Sequence, residues 1–357
     1  MFKVGAQQTI PEASLASKQP EIEAIVEGLQ IPWGMCFLPD ESLLITERNG
    51  KLIHFKNGEK IEVAGLPEIL TKGQGGLLDI ILHPKYDENG WIYFSFSSPK
   101  GEGSGGNTAI MRAKLKQGSL IDREFIYKGT PNSNSGNHWG SRMVFDQEGY
   151  LFFSIGDRFD RDRNPQDLSR DGGKIYRLHA DGSIPKDNPF VQSEDAKKAI
   201  FSYGHRNPQG MVLHPQSGKI WIHEHGPKGG DEINIIEKGK NYGWPEITYG
   251  VNYDGSSITD RRKAENMEQP FYYWVPSIAP CGMTFISSDL YPEWKGDLLV
   301  GSLKFQYLER LIIENGKVIG REKLFDNIGR LRNVKQAPNG EIYFAVEGKG
   351  IFKIKPF

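Results

Sequence analysis

The sequence predicts an all-β protein, a six-bladed β-propeller of four-stranded antiparallel blades. It forms one domain over residues 21–357, after an N-terminal extension of residues 1–20. Three observations lead there. A two-strand unit recurs six times, and most copies run on into a third strand. No Pro/Ser-rich linker or low-complexity tract divides the chain. Glycine supplies 42 of 357 residues, well above the usual share of about 7%, as a fold made of many short strands and turns requires.

The first copy is WGMCFLPDESLLITERNGKLIHF from Trp33, and the second is LLDIILHPKYDENGWIYFSFS from Leu77. The third is GSRMVFDQEGYLFFSIGD from Gly140, and the fourth QGMVLHPQSGKIWIHEHG from Gln209. GMTFISSDLYPEWKGDLLVGSL from Gly282 and RNVKQAPNGEIYFAVEG from Arg332 complete the set. Each has an apolar strand, a turn carrying Pro, Asp, Asn or Gly, and a second apolar strand ending in small or polar residues. Third strands follow as GKLIHF, GKIYRL, DEINII, YLERLII and GIFKIK. A pair of β-sandwiches would use similar strands, but six copies without a linker favour a closed ring. The segment EIEAIVEGL at 21–29 is placed to pair with the terminal GIFKIKPF and close it. The connections lengthen around the third, fourth and fifth copies, and long loops on a rigid scaffold are where function tends to sit.

Composition narrows the function. The formal net charge is −1 and the 44 Lys and Arg are dispersed, so no broad basic face for nucleic acid is expected. No apolar run approaches the roughly 18 residues of a membrane span. The N-terminal MFKVGAQQTIPEASLASKQPE lacks the continuous apolar core of a signal peptide, which suits a cytosolic chain or one whose leader has been trimmed. Cys36 and Cys281 make no disulfide framework and are expected as buried free thiols.

In a propeller, the residues just before the innermost strands converge on one mouth of the axial channel. Here those loops carry Gln74 in KGQGG, His138 in GNHWG, Arg206 and Asn207 in YGHRNPQG, and Arg330 and Arg332 in NIGRLRN. Lys304, in GSLKFQY, adds a further cation. Arginines that converge without equal carboxylates call for an anion bearing several carboxylates or phosphates. His138 alone reads as a hydrogen-bonded structural residue. With Asp157, from SIGDR in the same hairpin, it reads as a base whose second ring nitrogen is free to accept a proton. His83 and His214 sit in HP turns and read as structural, whereas His223 and His225 are open to either reading. Trp139, Trp244, Trp274 and Tyr253 could stack on a flat ligand or pack in the core.

The segment WIHEHGPKGGDEINIIEKGKNYGWP, 221–245, offers the carbonyls of Gly226 and Pro227 and the acids Asp231 and Glu232. Oxygen donors of this kind suit a hard cation such as Ca²⁺, although the spacing is not that of an EF-hand. A polar turn with surface acids is the alternative.

Taken together, the chain resembles the soluble PQQ-dependent aldose sugar dehydrogenases, relatives of soluble quinoprotein glucose dehydrogenase. The resemblance runs from about Gly28 to the C-terminus. It is carried by GQGGLLDIILHP, GNHWGSRMVF, GKIYRLHADGSIPKDNPF, SYGHRNPQGMVLHP, EHGPKGGDEINIIEKGKNYGWP and GRLRNV, in that order. It implies PQQ, a planar tricarboxylate, over the channel mouth, together with Ca²⁺. On this basis His138 is the catalytic base and Asp157 its orienting carboxylate. Gln74, Arg206, Asn207, Tyr253, Lys304, Arg330 and Arg332 are expected to contact PQQ. Gly226 and Pro227 are expected to give carbonyls to the PQQ-bound Ca²⁺, with Glu232 and Tyr242 at a second, structural Ca²⁺. The implied reaction oxidises the anomeric carbon of an aldose to the lactone by hydride transfer to PQQ, and an external acceptor then removes the electrons. The resemblance also implies a periplasmic or secreted protein, monomeric or dimeric. RFDRDRNPQDL after Ile155-Gly156-Asp157 is more charged than the glucose-specific branch, and the inter-blade loops are shorter. Both favour the broad-specificity aldose branch. Two rival readings are a Ca²⁺-dependent lactonase-type propeller hydrolase and a non-catalytic glycan-binding propeller.

Overall fold

Short apolar runs separated by turn residues build 24 strands of three to ten residues in the computed structural model, which describes residues 20–357. The extension assigned to residues 1–20 lies outside the described residues, apart from Pro20. The strands form six separate sheets, each four-stranded and antiparallel. The protein is therefore an all-β, six-bladed β-propeller, and the six repeats correspond one to one with the blades. The innermost strands are Pro32–Phe37, Leu77–Leu82, Met143–Phe145, Pro208–Leu213, Pro280–Phe285 and Leu331–Gln336, and each packs against the next around the ring.

The sixth blade is built from both ends of the chain. Ile22–Glu27 pairs antiparallel with Gly350–Ile354, with Ile22 opposite Ile354 and Glu27 opposite Gly350. A closed ring leaves only short outer edges, which limits edge-to-edge association.

Each sheet is covered on both faces by its neighbours. Second strands such as Leu43–Glu47 and Leu151–Ile155 are consequently buried along their whole length rather than at alternate residues. The core divides into six inter-blade clusters, one for each blade interface, and a small axial cluster of Trp33, Leu78 and Trp139. Cys36 lies in one interface and Cys281 at the axis, both as buried free thiols. Burial pushes the Cys36 thiol up to about 12.

One side chain ties the blades together on the axis. The buried Arg142 guanidinium, from the third blade, donates to Gln209 O of the fourth at 2.8 Å and Arg332 O of the sixth at 2.7 Å. It also reaches Trp33 O of the first at 3.3 Å, Asp79 Oδ1 of the second at 3.2 Å and Cys281 Sγ of the fifth at 3.5 Å. The planar fork with five N–H donors is the only side chain able to serve so many fixed acceptors at once.

Candidate active site

In the first, fourth, fifth and sixth blades the residue leaving the second strand is hydrogen-bonded to the residue about to enter the innermost strand. Arg48 N donates to Ile31 O at 3.1 Å, His225 N to Asn207 O at 3.1 Å, and Glu347 N to Arg330 O at 2.9 Å. Two sets of positions therefore meet at one end of the ring.

His138 and Asp157 face each other there. Nδ1 of His138 lies 2.6 Å from Asp157 Oδ1. The carboxylate also accepts from Phe159 N at 2.7 Å and, through Oδ2, from Trp244 Nε1 at 2.9 Å. Burial opposes ionisation of Asp157, but His138, Arg206 and the Trp244 N–H outweigh it and hold the carboxyl below its usual range. The charged carboxylate only accepts, so Nδ1 carries the proton and Nε2 has the lone pair. Nε2 has no partner among the described residues. Burial, helped by the charges of Arg206 and Arg158 and opposed by Asp157, keeps the imidazole below its ordinary pKa, and so neutral near pH 7.

The backbone here is strained. His138 has a φ of 54°, and Arg158 and Phe159 have 56° and 60°. Non-glycine residues persist in this region only when their surroundings fix them. The His138 N–H donates to Gln74 Oε1 at 2.9 Å. Arg158 is buried over the Trp139 ring at 3.4 Å and donates to Asn137 O and Ser135 O. Gly140 completes the turn at φ 63°, where a Cβ would come within 2.6 Å of Gly156 N.

Two cavities open on this mouth. One, of about 330 Å³, is walled by His138, Asp157, Phe159, Arg206, Trp244 and Tyr253. Phe159 and Tyr253 are 60% and 68% exposed, and the Phe159 ring stands edge-on to His138 at 5.2 Å. Arg161 donates to Asn252 Oδ1 at 2.8 Å, joining the two long loops across the rim. The other cavity, of about 260 Å³, is walled by Arg48, Gln74, Trp139, Asn207, Arg330 and Arg332 among others. The two adjoin through Gln74, which lines the second and holds the backbone of His138 in the first.

The amide groups are oriented by their neighbours. Gln74 Oε1 accepts from His138 N, and Asn207 Oδ1 accepts from Gly140 N at 3.1 Å. Each must therefore turn its oxygen to the backbone, and neither –NH₂ makes a hydrogen bond to a described residue. Arg206 donates to His225 O at 3.0 Å and Gly226 O at 2.6 Å. Arg330 and Arg332 both reach Glu347, each through Nε at 2.8 Å. The expectation of arginines without a carboxylate therefore needs amending: Glu347 is shared between two of them. With Arg48 the wall holds three guanidiniums against that one carboxylate. Lys304 is exposed at the rim, its ammonium 4.8 Å from the Phe305 ring centre, and lines neither cavity.

The expected metal residues divide. Gly226, Glu232 and Tyr242 surround a small void of about 10 Å³, whereas Pro227 lines the larger cavity beside His138. Gly226 is required, because a Cβ there would lie 2.2 Å from Gly230 O. Asp231 is engaged in holding the loop, accepting from Gly226 N and Ala279 N at 2.8 Å each. Glu232 is bonded only to Asn234 Nδ2 at 3.4 Å, and burial and the charge of Glu224 push its carboxyl well up. A cation would relieve both. The Tyr242 hydroxyl is turned away, donating to Ile235 O at 2.6 Å and accepting from Glu237 N at 2.9 Å, so only the tyrosine's main-chain carbonyl remains to offer. Among the described residues no group of three or more His, Cys, Asp or Glu could hold a metal ion. An ion here would rest chiefly on carbonyls, with Glu232 as its carboxylate.

Of the aromatic candidates, Trp274 is buried and donates to Glu309 at 2.9 Å, away from the mouth. His225 lines the second cavity, with Nε2 2.8 Å from Pro280 O, whereas His223 is wholly buried. Sequence reasoning missed Arg48, Glu347, Phe159 and the Arg161–Asn252 link. The first two follow second strands in the repeat, and that register is the signal that finds them.

Fold and site together define a propeller with an enzyme-like centre: an oriented, neutral histidine beside a cation-rich mouth. The profile of the Glucose / Sorbosone dehydrogenase family matches residues 29–353. The aldose sugar dehydrogenase YliI of Escherichia coli K12 is 39% identical over 345 residues, covering 94% of this chain and 92% of that one. A solved glucose dehydrogenase superposes with a TM-score of 0.91 at 38% identity, over 95% of this chain and 100% of the other. The PQQ-bound form of the Streptomyces coelicolor aldose sugar dehydrogenase superposes with a TM-score of 0.75 at 25% identity, over 95% and 99%. The chain belongs to the glucose/sorbosone dehydrogenase family of oxidoreductases.

Proposed function

We propose that this protein oxidises the anomeric carbon of aldose sugars to the lactone, with PQQ and Ca²⁺ as its cofactors. The observation that carries the reading is the free Nε2 of His138, facing a sugar-sized cavity that adjoins the guanidinium-lined mouth. When bound, PQQ supplies a two-electron, hydride-accepting quinone and Ca²⁺ the Lewis acidity that polarises it. Arg330, Arg332 and the free amide groups of Gln74 and Asn207 would hold its carboxylates. Arg206 and the carbonyls of Gly226 and Pro227 lie at the junction with the sugar cavity, and Glu232 with the Tyr242 carbonyl suits a structural Ca²⁺. Tyr253 and Phe159 flank the cavity and offer ring faces to the C–H face of a sugar. Lys304, at the rim, extends the positive field.

His138 takes the proton of the C1 hydroxyl at Nε2. Asp157 holds Nδ1–H throughout and stabilises the imidazolium that forms. Burial of the pair keeps bulk water from competing for the proton. An external acceptor takes the electrons onward, and the family relationship favours work outside the cytoplasm. Among the described residues, no helix is long and apolar enough to cross a membrane.

A calcium lactonase would need side-chain carboxylates on the axis free to hold the ion, whereas Asp79 there is engaged by the Arg142 guanidinium and the Met143 N–H. The test adds PQQ and Ca²⁺ to purified apoprotein and follows bleaching of a redox dye. Aldose-dependent bleaching that needs PQQ is expected; none with any of a panel of mono- and disaccharides would sink the reading.

A further inference from the structure

Arg48 leaves the second strand of the first blade in the register that Glu347 occupies in the sixth. It lines the same 260 Å³ cavity as Gln74, Asn207, Arg330 and Arg332. Its neighbours are already engaged. Arg330 and Arg332 share Glu347, Arg330 also donates to Leu303 O at 3.1 Å, and Arg206 is bonded to two carbonyls. The Arg48 guanidinium has no hydrogen bond or ion pair with any described residue. It cannot shed its charge, because guanidinium stays protonated in proteins. Partial burial, then the charge of Arg332, press its pKa down, against the pull of Glu347. A half-buried cation beside two others, with one carboxylate among the three, is costly to the empty protein and is relieved by an added anion.

We propose that Arg48 is a binding residue of the anion site, pairing with a carboxylate of the bound cofactor. This rests on the reading of the mouth as a PQQ site. It spreads the working residues of the mouth over five of the six blades: Arg48, Gln74, Arg206 with Asn207, and Arg330 with Arg332 for the anion, and His138 as the base beside them.

The experiment titrates wild-type, Arg48→Gln and Arg48→Lys apoproteins with PQQ in the absence of sugar, reading tryptophan fluorescence, and records the thermal midpoint of each apoprotein. Arg48→Gln should bind PQQ on the order of 10- to 100-fold more weakly, the range for losing a charge-assisted hydrogen bond. Its apoprotein midpoint should be unchanged or raised, because a like-charge contact has gone. Arg48→Lys should recover part of the affinity. Equal PQQ affinity in wild type and Arg48→Gln overturns the inference. So does weaker binding accompanied by a lowered apoprotein midpoint without rescue by lysine, which would mark a structural role. If the wild-type protein itself fails to bind PQQ, the functional reading falls and takes this inference with it.

Discussion

Two histidine–carboxylate pairs sit in related places on adjacent blades, and only one faces open space. His138 and Asp157 are 19 residues apart, as are His205 and Glu224. In both, Nδ1 meets the carboxylate, at 2.6 Å and 2.9 Å. Both carboxylates also accept a backbone N–H, from Phe159 at 2.7 Å and from Arg206 at 2.5 Å. The difference lies at the far nitrogen. Nε2 of His205 is 2.9 Å from Ser202 Oγ, and its ring is wholly buried and stacked on Tyr242 at 4.6 Å. Nε2 of His138 opens on the 330 Å³ cavity. A histidine oriented by a carboxylate is thus not by itself a catalytic mark; what the second nitrogen meets decides. The closed pair has its own task, because Glu224 fixes the backbone of Arg206 at the mouth.

The strongest way to break this comparison is to remove each histidine in turn. His138→Ala should lower kcat/KM for aldose oxidation by about 10²- to 10⁴-fold, the usual loss of a general base. PQQ binding should change little, and the thermal midpoint should fall modestly, since the buried Asp157 carboxylate loses one of its three donors and keeps those of Phe159 and Trp244. Full activity in His138→Ala, measured with saturating PQQ, would end the assignment.

How much of this was legible in the sequence follows from the range of the forces involved. The six blades were readable because each is a local unit, an apolar strand, a turn and a second strand, repeated often enough to be seen. The convergence of Gln74, His138, Asn207, Arg330 and Arg332 followed from topology alone. Glu347 did not, because an acid in a Glu-Gly-Lys-Gly turn reads as solvated surface, and its pairing with Arg330 and Arg332 shows only in three dimensions. Arg48, in a Glu-Arg-Asn-Gly turn, reads in the same way as a solvated surface cation. Phe159 was hidden for another reason: its exposure depends on a left-handed backbone that nothing in Arg158-Phe159 announces, since neither is glycine. Arg142 lay in plain sight within GSRMVF, yet its partners come from five other blades, and such long-range satisfaction leaves no local pattern. The Tyr242 hydroxyl turned to Ile235 and Glu237 likewise shows only in three dimensions.

A smaller effect, and of a different kind, is expected from the closed pair. His205→Ala removes the partner of both Ser202 and Glu224 from a site without solvent, leaving two buried polar groups short of a bond. That costs about 1–3 kcal/mol of stability. Denaturant unfolding of the apoprotein should show the loss, while kcat per PQQ-loaded molecule stays close to wild type. A fall in kcat comparable to that of His138→Ala, with stability intact, would mean that the two pairs act together.

The finest distinction is in the pH profile. The proposed role as base needs His138 neutral, so kcat/KM should fall on the acid side as the imidazole gains its proton. Burial and the Arg206 and Arg158 charges lower its pKa, and Asp157 pulls it back up only in part. The acid limb of the free enzyme should therefore have its midpoint below the ordinary histidine value of about 6.5. Asp157→Asn removes the only group opposing that shift, so the midpoint of the residual activity should move lower still. It should not move up. The amide of this variant would also present an –NH₂ to one of the three N–H donors now satisfied by Asp157, those of His138, Phe159 and Trp244. A wild-type midpoint at or above about 6.5 would mean that the carboxylate's attraction outweighs burial. His138 would then rest as an imidazolium over much of the acid range, and its likeness to an ordinary ion-paired histidine would be closer than the cavity suggests.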